Sequence, residues 1–178
     1  KKANKKINIK VISPNFPLKY DLSINEIESR LKKLIKYSEP NLDKKTLFVW
    51  PEGVFSGYSF TEIAIFKNYF KKNFSKEHYI IFGVNKLKEN SDSFYNSLVL
   101  VNNDLKILQQ YNKQKLVPFG EFVPFESFLT KFGLKKITEG HGSFKKGHQQ
   151  NNIIINELNI LPLICYEVIF TKLTQNAN

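Results

Sequence analysis

The hydrophobic rhythm of this chain changes once, and that change limits what it can fold into. Up to Val84, apolar stretches of strand length alternate with segments patterned for helices; from Ser97 onward, short apolar stretches follow one another across turn residues. Ile7 to Ile12 alternates apolar with polar residues and predicts a strand, closed by Ser13-Pro14-Asn15-Phe16-Pro17. Ser23 with Glu26 three positions on predicts a helix start, and Ile24, Ile27, Leu31, Leu34 and Ile35 fall on one face of that helix. Thr46 to Trp50 and Tyr79 to Val84 are continuous apolar runs, the pattern of strands covered on both sides, with a second helix predicted from Phe60 to Phe74 between them. Ser97 to Val101 and Leu105 to Leu108, joined by Asn102-Asn103-Asp104, predict an antiparallel hairpin. A second hairpin is predicted from Ile153 to Ile155 and from Ile160 through Cys165, turning at Asn156-Glu157. Helices after the early strands and hairpins later imply a layered α/β sandwich with a mixed sheet.

With 178 residues, 42% hydrophobic and 14% aromatic, the chain supports a single domain with a substantial core. Its charge of +11 comes almost wholly from lysine, because Arg30 is the sole arginine. Nucleic-acid recognition favours the arginine fork, so this composition argues against it; lysines also suit anionic lipid headgroups, at roughly 1 kcal/mol each near the surface. No apolar run approaches the ~20 residues of a membrane span. The absence of methionine, even at position 1, suggests an internal piece of a longer protein. A lone cysteine cannot form an internal disulfide, and His78, His141 and His148 have no cysteine neighbours, so neither zinc nor any other cofactor is called for. Residues 117–150 carry many breakers, among them Pro118, Gly120, Pro124, Gly133 and Gly147, and predict a long functional loop with one short helix.

Three islands of chemically capable residues stand at the ends of apolar runs. They are Trp50-Pro51-Glu52-Gly53, Tyr111-Asn112-Lys113, and Cys165-Tyr166-Glu167. Taken alone, Glu52 reads as an exposed loop carboxylate, Lys113 as one lysine of many, and Cys165 as a small core hydrophobe at a strand end. Together they supply what thiol chemistry needs. A cysteine is mostly un-ionised at neutral pH, so Glu52 would take its proton as general base, and Lys113 would stabilise an oxyanion with help from the Tyr166 N–H. Glu121, set among apolar residues, needs a partner and would orient Lys113, or else hold a loop salt bridge. Glu167 has a simpler explanation as a carboxylate at a helix N-terminus. No histidine adjoins any island, which argues against a Cys-His protease.

In order and spacing these islands resemble the Glu-Lys-Cys triad of the carbon-nitrogen hydrolase (nitrilase) superfamily. Within it, Lys113-Gln114-Lys115-Leu116-Val117-Pro118-Phe119-Gly120-Glu121-Phe122-Val123-Pro124 is similar to the signature of the apolipoprotein N-acyltransferases, with Pro14-Asn15, Tyr95-Asn96-Ser97 and Ser143-Phe144-Lys145-Lys146-Gly147 as weaker matches. The resemblance implies a nitrilase-like α-β-β-α sandwich, here incomplete at the C-terminus, so that residues 1–178 are a partial hydrolase domain lacking the family's membrane helices. An isolated piece of that kind is expected to be inactive and poorly stable. It further implies catalytic Glu52, Lys113 and Cys165, supporting Glu121, Tyr166 and Glu167, and a substrate contact at Tyr20, where the family often has tryptophan. The implied reaction is ping-pong acyl transfer from a phospholipid, through a cysteine thioester, to the amino group of a diacylglyceryl-cysteine lipoprotein, without cofactor, metal or nucleic acid. The implied location is the bacterial inner membrane, with this domain on the periplasmic side. The chain departs from the family at Lys115, commonly histidine, and at Ser13, commonly glutamine. Two alternatives remain: a soluble amidase or carbamoylase of the same superfamily, and a lysine-rich module binding nucleic acid or anionic membrane.

Overall fold

A computed structural model describes residues 7–17, 19, 21–118, 120–122, 144–148 and 152–174. Tyr20 and most of the long loop predicted over residues 117–150 lie outside the described residues. Strands β1 (Asn8–Val11), β2 (Thr46–Val49), β3 (His78–Leu87), β4 (Phe94–Val101) and β5 (Ile107–Asn112) form one sheet in that order. β1, β2 and β3 run parallel, whereas β3, β4 and β5 are antiparallel, so the sheet is mixed as the change of rhythm implies.

Helix α1 (Ile24–Ser38) begins where the capping pattern predicts. Ser23 accepts the Glu26 backbone N–H through its side chain, while the Glu26 carboxylate accepts the Ser23 N–H at 2.8 Å. Ile27, Leu31, Leu34 and Ile35 bury the inner face, and the chain leaves the helix at Glu39 in a left-handed conformation. The second predicted helix is broken in two: α2 (Phe60–Ile63) and α3 (Lys67–Asn73) are separated by a 3₁₀ turn at Ala64–Phe66. Ile63 and Phe66 are both buried and three apart, a spacing that a 3₁₀ turn keeps on one side while Ile65 faces water.

Alternation along the strands divides the core. Phe48, Ile80, Phe82, Val99 and Val101 face the helices, together with Trp50, Phe70 and Phe74. Leu47, Ile81 and Leu100 face the other way and are covered by Ile153 and Ile155 of β6 (Ile153–Ile155), which pairs with β7 (Leu158–Ile160) as a separate two-stranded sheet turning at Asn156. The predicted second hairpin is therefore present but short, because its outgoing strand stops at Ile160 rather than running through Cys165.

Candidate active site

β2, an inner strand, delivers the first island at its C-terminal end. The Trp50 N–H still bonds the Ile81 carbonyl at 2.9 Å, after which Pro51, having no N–H, ends the ladder. The Trp50 indole is buried against Phe82 and donates to Ser38 Oγ at 3.0 Å, so the chain is anchored immediately before Glu52. Glu52 then lies over Gly83 of β3, where a Cβ would stand 3.9 Å from both Cα and Cγ of the glutamate. Gly53 turns with φ +70°, and the Ser56 side chain closes the loop by donating to its carbonyl at 2.7 Å.

Lys113 follows β5 directly and is held through its backbone on both sides. Its N–H donates to Asn96 at 2.9 Å and its carbonyl accepts from Gly147 at 2.8 Å. That second contact requires glycine: a Cβ on Gly147 would fall 2.2 Å from the Asn112 carbonyl oxygen. The Lys113 side chain, 2% exposed, donates to Glu121 Oε1 at 3.0 Å and lies 5.2 Å from the centre of the Tyr166 ring. Glu121 also accepts from the Asn96 amide at 2.8 Å and from the Val117 N–H at 2.9 Å, which compensates the cost of a carboxylate turned inward.

Cys165 opens a 3₁₀ turn (Cys165–Ile169), with φ +56° and its side chain exposed. This corrects the prediction of a nucleophile at the end of a strand. Pro162 cannot donate to a ladder, and the Ile164 N–H is diverted at 2.9 Å to Glu167 Oε2. A left-handed non-glycine residue costs on the order of 1 kcal/mol, so the surroundings must hold it. They do so through Glu167, which is fully buried and accepts from the Tyr111 hydroxyl at 3.0 Å and from the Gln114 and Lys115 N–H groups at 2.7 and 2.9 Å. One carboxylate thus ties the lysine loop to the cysteine turn. Tyr166 reinforces the link by donating to the Leu116 carbonyl at 2.6 Å.

Burial raises the Glu52 carboxyl above its ordinary value of 4.5; the nearby Lys113 charge opposes this, and the negative charges of Glu121 and Glu167 add to it. Glu52 opens on a cavity of about 240 Å³ that Ser13, Asn15, Phe16, Arg30 and Ser56 also line. Burial likewise raises the Tyr166 phenol, with further contributions from Glu121, Glu167 and Cys165. Tyr111 is pushed up by burial and by the Glu167 charge, so it stays a hydrogen-bond donor. Among the described residues, no cluster of three His, Cys, Asp or Glu side chains could hold a metal ion.

Of the residues singled out by sequence, Lys113, Glu121, Tyr166 and Glu167 are joined by direct contacts, Cys165 shares the turn that carries Tyr166 and Glu167, and Glu52 lies within reach of their charges. Glu167 does stand in the first turn of a helix, where it caps the 3₁₀ turn by accepting from the Ile164 N–H, but it is also a buried hub. Tyr111, Asn96 and Gly147 were missed as supports. The signals were a tyrosine buried at a strand end, whose hydroxyl needs a partner, and an amide within the cross-strand pairing of β3 and β4.

The sequence profile of the carbon-nitrogen hydrolase family matches residues 20–176, and the chain belongs to that family. Its curated relatives include proteins named apolipoprotein N-acyltransferase, from Rhodopseudomonas palustris at 27% identity over 92% of this chain, and from Wigglesworthia glossinidia brevipalpis at 31% over 93%. The chain spans about a third of the length of these relatives, 33% and 34%. Among solved structures, a mutant amidase of the nitrilase superfamily from Nesterenkonia superimposes with a TM-score of 0.53 at 13% identity, covering 97% of this chain and 58% of the amidase. A Saccharomyces cerevisiae nitrilase-superfamily protein superimposes with a TM-score of 0.52 at 18% identity, covering 85% of this chain and 55% of that one. These likenesses establish an α/β nitrilase-type fold.

Proposed function

We propose that this chain is the catalytic part of an acyltransferase that moves a fatty acyl chain from a phospholipid to the amino terminus of a diacylglyceryl-cysteine lipoprotein, with residues 1–178 a partial hydrolase domain. The similarity to relatives named apolipoprotein N-acyltransferase along nearly the whole chain carries the assignment. The site geometry supports the chemistry. Glu52, whose carboxyl is raised above its ordinary value, takes the Cys165 thiol proton as the sulfur attacks the ester carbonyl of the phospholipid. Lys113, oriented by Glu121, stabilises the developing oxyanion. Glu52 then returns the proton to the departing alkoxide, leaving a lysophospholipid and a Cys165 thioester. The lipoprotein amine attacks the thioester, its proton passes through Glu52 to the expelled thiolate, and the amide product leaves with free cysteine restored.

In this assignment Tyr20 contacts substrate, and Tyr166 and Glu167 keep the nucleophile's turn in place. The same assignment puts the protein at the bacterial inner membrane with this domain on the periplasmic side, through segments outside this chain. No helix of the described residues is long and apolar enough to cross a membrane. The test is to incubate the full-length gene product with a phospholipid carrying a labelled acyl chain and to trap the intermediate for mass spectrometry. An acyl adduct on Cys165 that disappears when a diacylglyceryl peptide is added is the expected result. Adduct on another residue, or hydrolysis of small amides without acyl transfer, would replace the proposal with a different chemistry.

A further inference from the structure

Arg30 is the only arginine among 27 basic residues, and its guanidinium reaches the Glu52 loop at the Gly53 carbonyl. It sits in the middle of α1 and is 8% exposed. Its guanidinium donates to the Pro17 carbonyl at 2.7 Å through Nη2 and to the Gly53 carbonyl at 3.4 Å through Nη1, and it lies 4.9 Å over the Phe16 ring. Among the described residues it makes no ion pair within 4.0 Å, and burial weighs against its charge, with the Glu26 charge one turn earlier opposing that effect. A buried cation spent on two backbone carbonyls is costly, so the arrangement calls for an explanation beyond core packing. A lysine ammonium can also reach two carbonyls, as Lys10 does with those of Ser38 and Glu39, but it lacks the planar fork that holds two donor nitrogens apart in a fixed geometry.

The two carbonyls identify what is being held. One belongs to the segment after β1, which forms one wall of the cavity; the other belongs to the residue that follows Glu52, which lines the same cavity. Gly53 is at φ +70°, where its carbonyl direction is set by whatever bonds it, and the donors are Arg30 and Ser56. Ser56 belongs to the same short loop and cannot fix that loop to the rest of the molecule. We propose that Arg30 is a positioning residue for Glu52, its fork fastening the carboxylate's loop and the facing cavity wall to α1 so that the carboxylate stays over β3. It does not touch the reacting atoms. The proposal rests on Glu52 being the proton acceptor for Cys165.

The test compares Arg30→Lys with the parent in the full-length gene product, with Glu52→Gln as the control, and reads the rate of Cys165 alkylation by iodoacetamide against pH, alongside kcat and KM. With Glu52 as proton acceptor, the parent shows an acid limb set by that carboxylate, and Glu52→Gln abolishes it. Arg30→Lys loosens the carboxylate from its place over β3 and from the groups that raise it, so the acid limb shifts to lower pH, while kcat falls on the order of tenfold with KM little changed, as expected of a misplaced catalytic group. Added guanidinium restores part of the loss in Arg30→Ala and none in Glu52→Gln. If Glu52→Gln abolishes the limb but Arg30→Lys leaves both the limb and kcat unaltered, the positioning role is wrong while the role of Glu52 stands. The positioning role is equally wrong if Arg30→Lys loses kcat only in proportion to folded protein, with the limb unmoved. If Glu52→Gln keeps the limb, the assignment of Glu52 fails, and the role of Arg30 with it.

Discussion

Three glutamates meet at this site in two kinds of surroundings. Behind Lys113, Glu167 and Glu121 accept hydrogen bonds from the Tyr111 hydroxyl, the Asn96 amide, the lysine ammonium and the N–H groups of Gln114, Lys115, Val117 and Ile164. In front, Glu52 lies over Gly83 and is exposed to water on its other side; the structure packed around it still raises its carboxyl, and only the more distant charge of Lys113 favours its ionised form. A carboxylate saturated with donors is a fixed anion that organises backbone. One that is raised but not saturated can exchange a proton at little cost. The difference in hydrogen bonding, rather than residue type, separates framework from chemistry here.

Removing the framework anion should have the largest effect. Glu167→Ala strands the Tyr111 hydroxyl and the N–H groups of Gln114, Lys115 and Ile164 in the interior, and a buried unsatisfied donor costs about 1–3 kcal/mol. The expected loss is at least about 3 kcal/mol, read as a lowered denaturation midpoint, together with loss of Cys165 reactivity because its turn is no longer tied to the lysine loop. Unchanged stability would mean that the lysine loop and the cysteine turn are held by contacts other than Glu167. Glu121→Gln comes next: it keeps an acceptor but removes the counter-charge of a lysine that is 2% exposed, and leaving a buried charge uncompensated costs up to about 3 kcal/mol. Gly147→Ala should follow, at about 1–3 kcal/mol, because a Cβ placed 2.2 Å from the Asn112 carbonyl must push the Gly147 N–H away from Lys113. If activity falls in Gly147→Ala with little change in stability, backbone placement of Lys113 matters more than its burial.

How much of this was visible in the sequence depends on how far apart the interacting groups are. Helix α1 was legible because Ser23 and Glu26 cap it three residues apart and its apolar stripe repeats locally. The parallel strands and the first hairpin were legible from runs and turns of the same local kind. The islands pointed to chemistry only in combination, and the hydrogen bonds that tie them together could not be read at all. Glu167 looks like a carboxylate at a helix start because its partners Gln114 and Tyr111 lie 53 and 56 residues away. The end of β7 was misread for a local reason: an apolar stretch from Ile160 to Cys165 favours a strand, yet Pro162 and the diversion of the Ile164 N–H to Glu167, three residues on, turn it into a 3₁₀ start. The break between α2 and α3 was missed because a three-residue spacing of buried side chains fits either helix type within so short a segment.

The smallest expected effect on stability is also the one that separates the two environments most cleanly. Because burial raises the folded-state carboxyl of Glu52 above 4.5, the folded protein binds a proton there more tightly than the unfolded chain does. Ionised Glu52 therefore costs stability. The cost is absent at pH below 4.5, grows as pH rises toward the folded-state value, and is constant above it. Glu52→Gln removes that cost and should raise the denaturation midpoint slightly at neutral pH, with the gain fading as the pH is lowered past 4.5, while abolishing Cys165 acylation. Glu121→Gln should lower the midpoint at neutral pH. Opposite signs for the two substitutions would establish that one carboxylate holds the structure and the other is carried at its expense; a loss of stability in both would place Glu52 in the framework and leave the proton acceptor for Cys165 to be sought elsewhere.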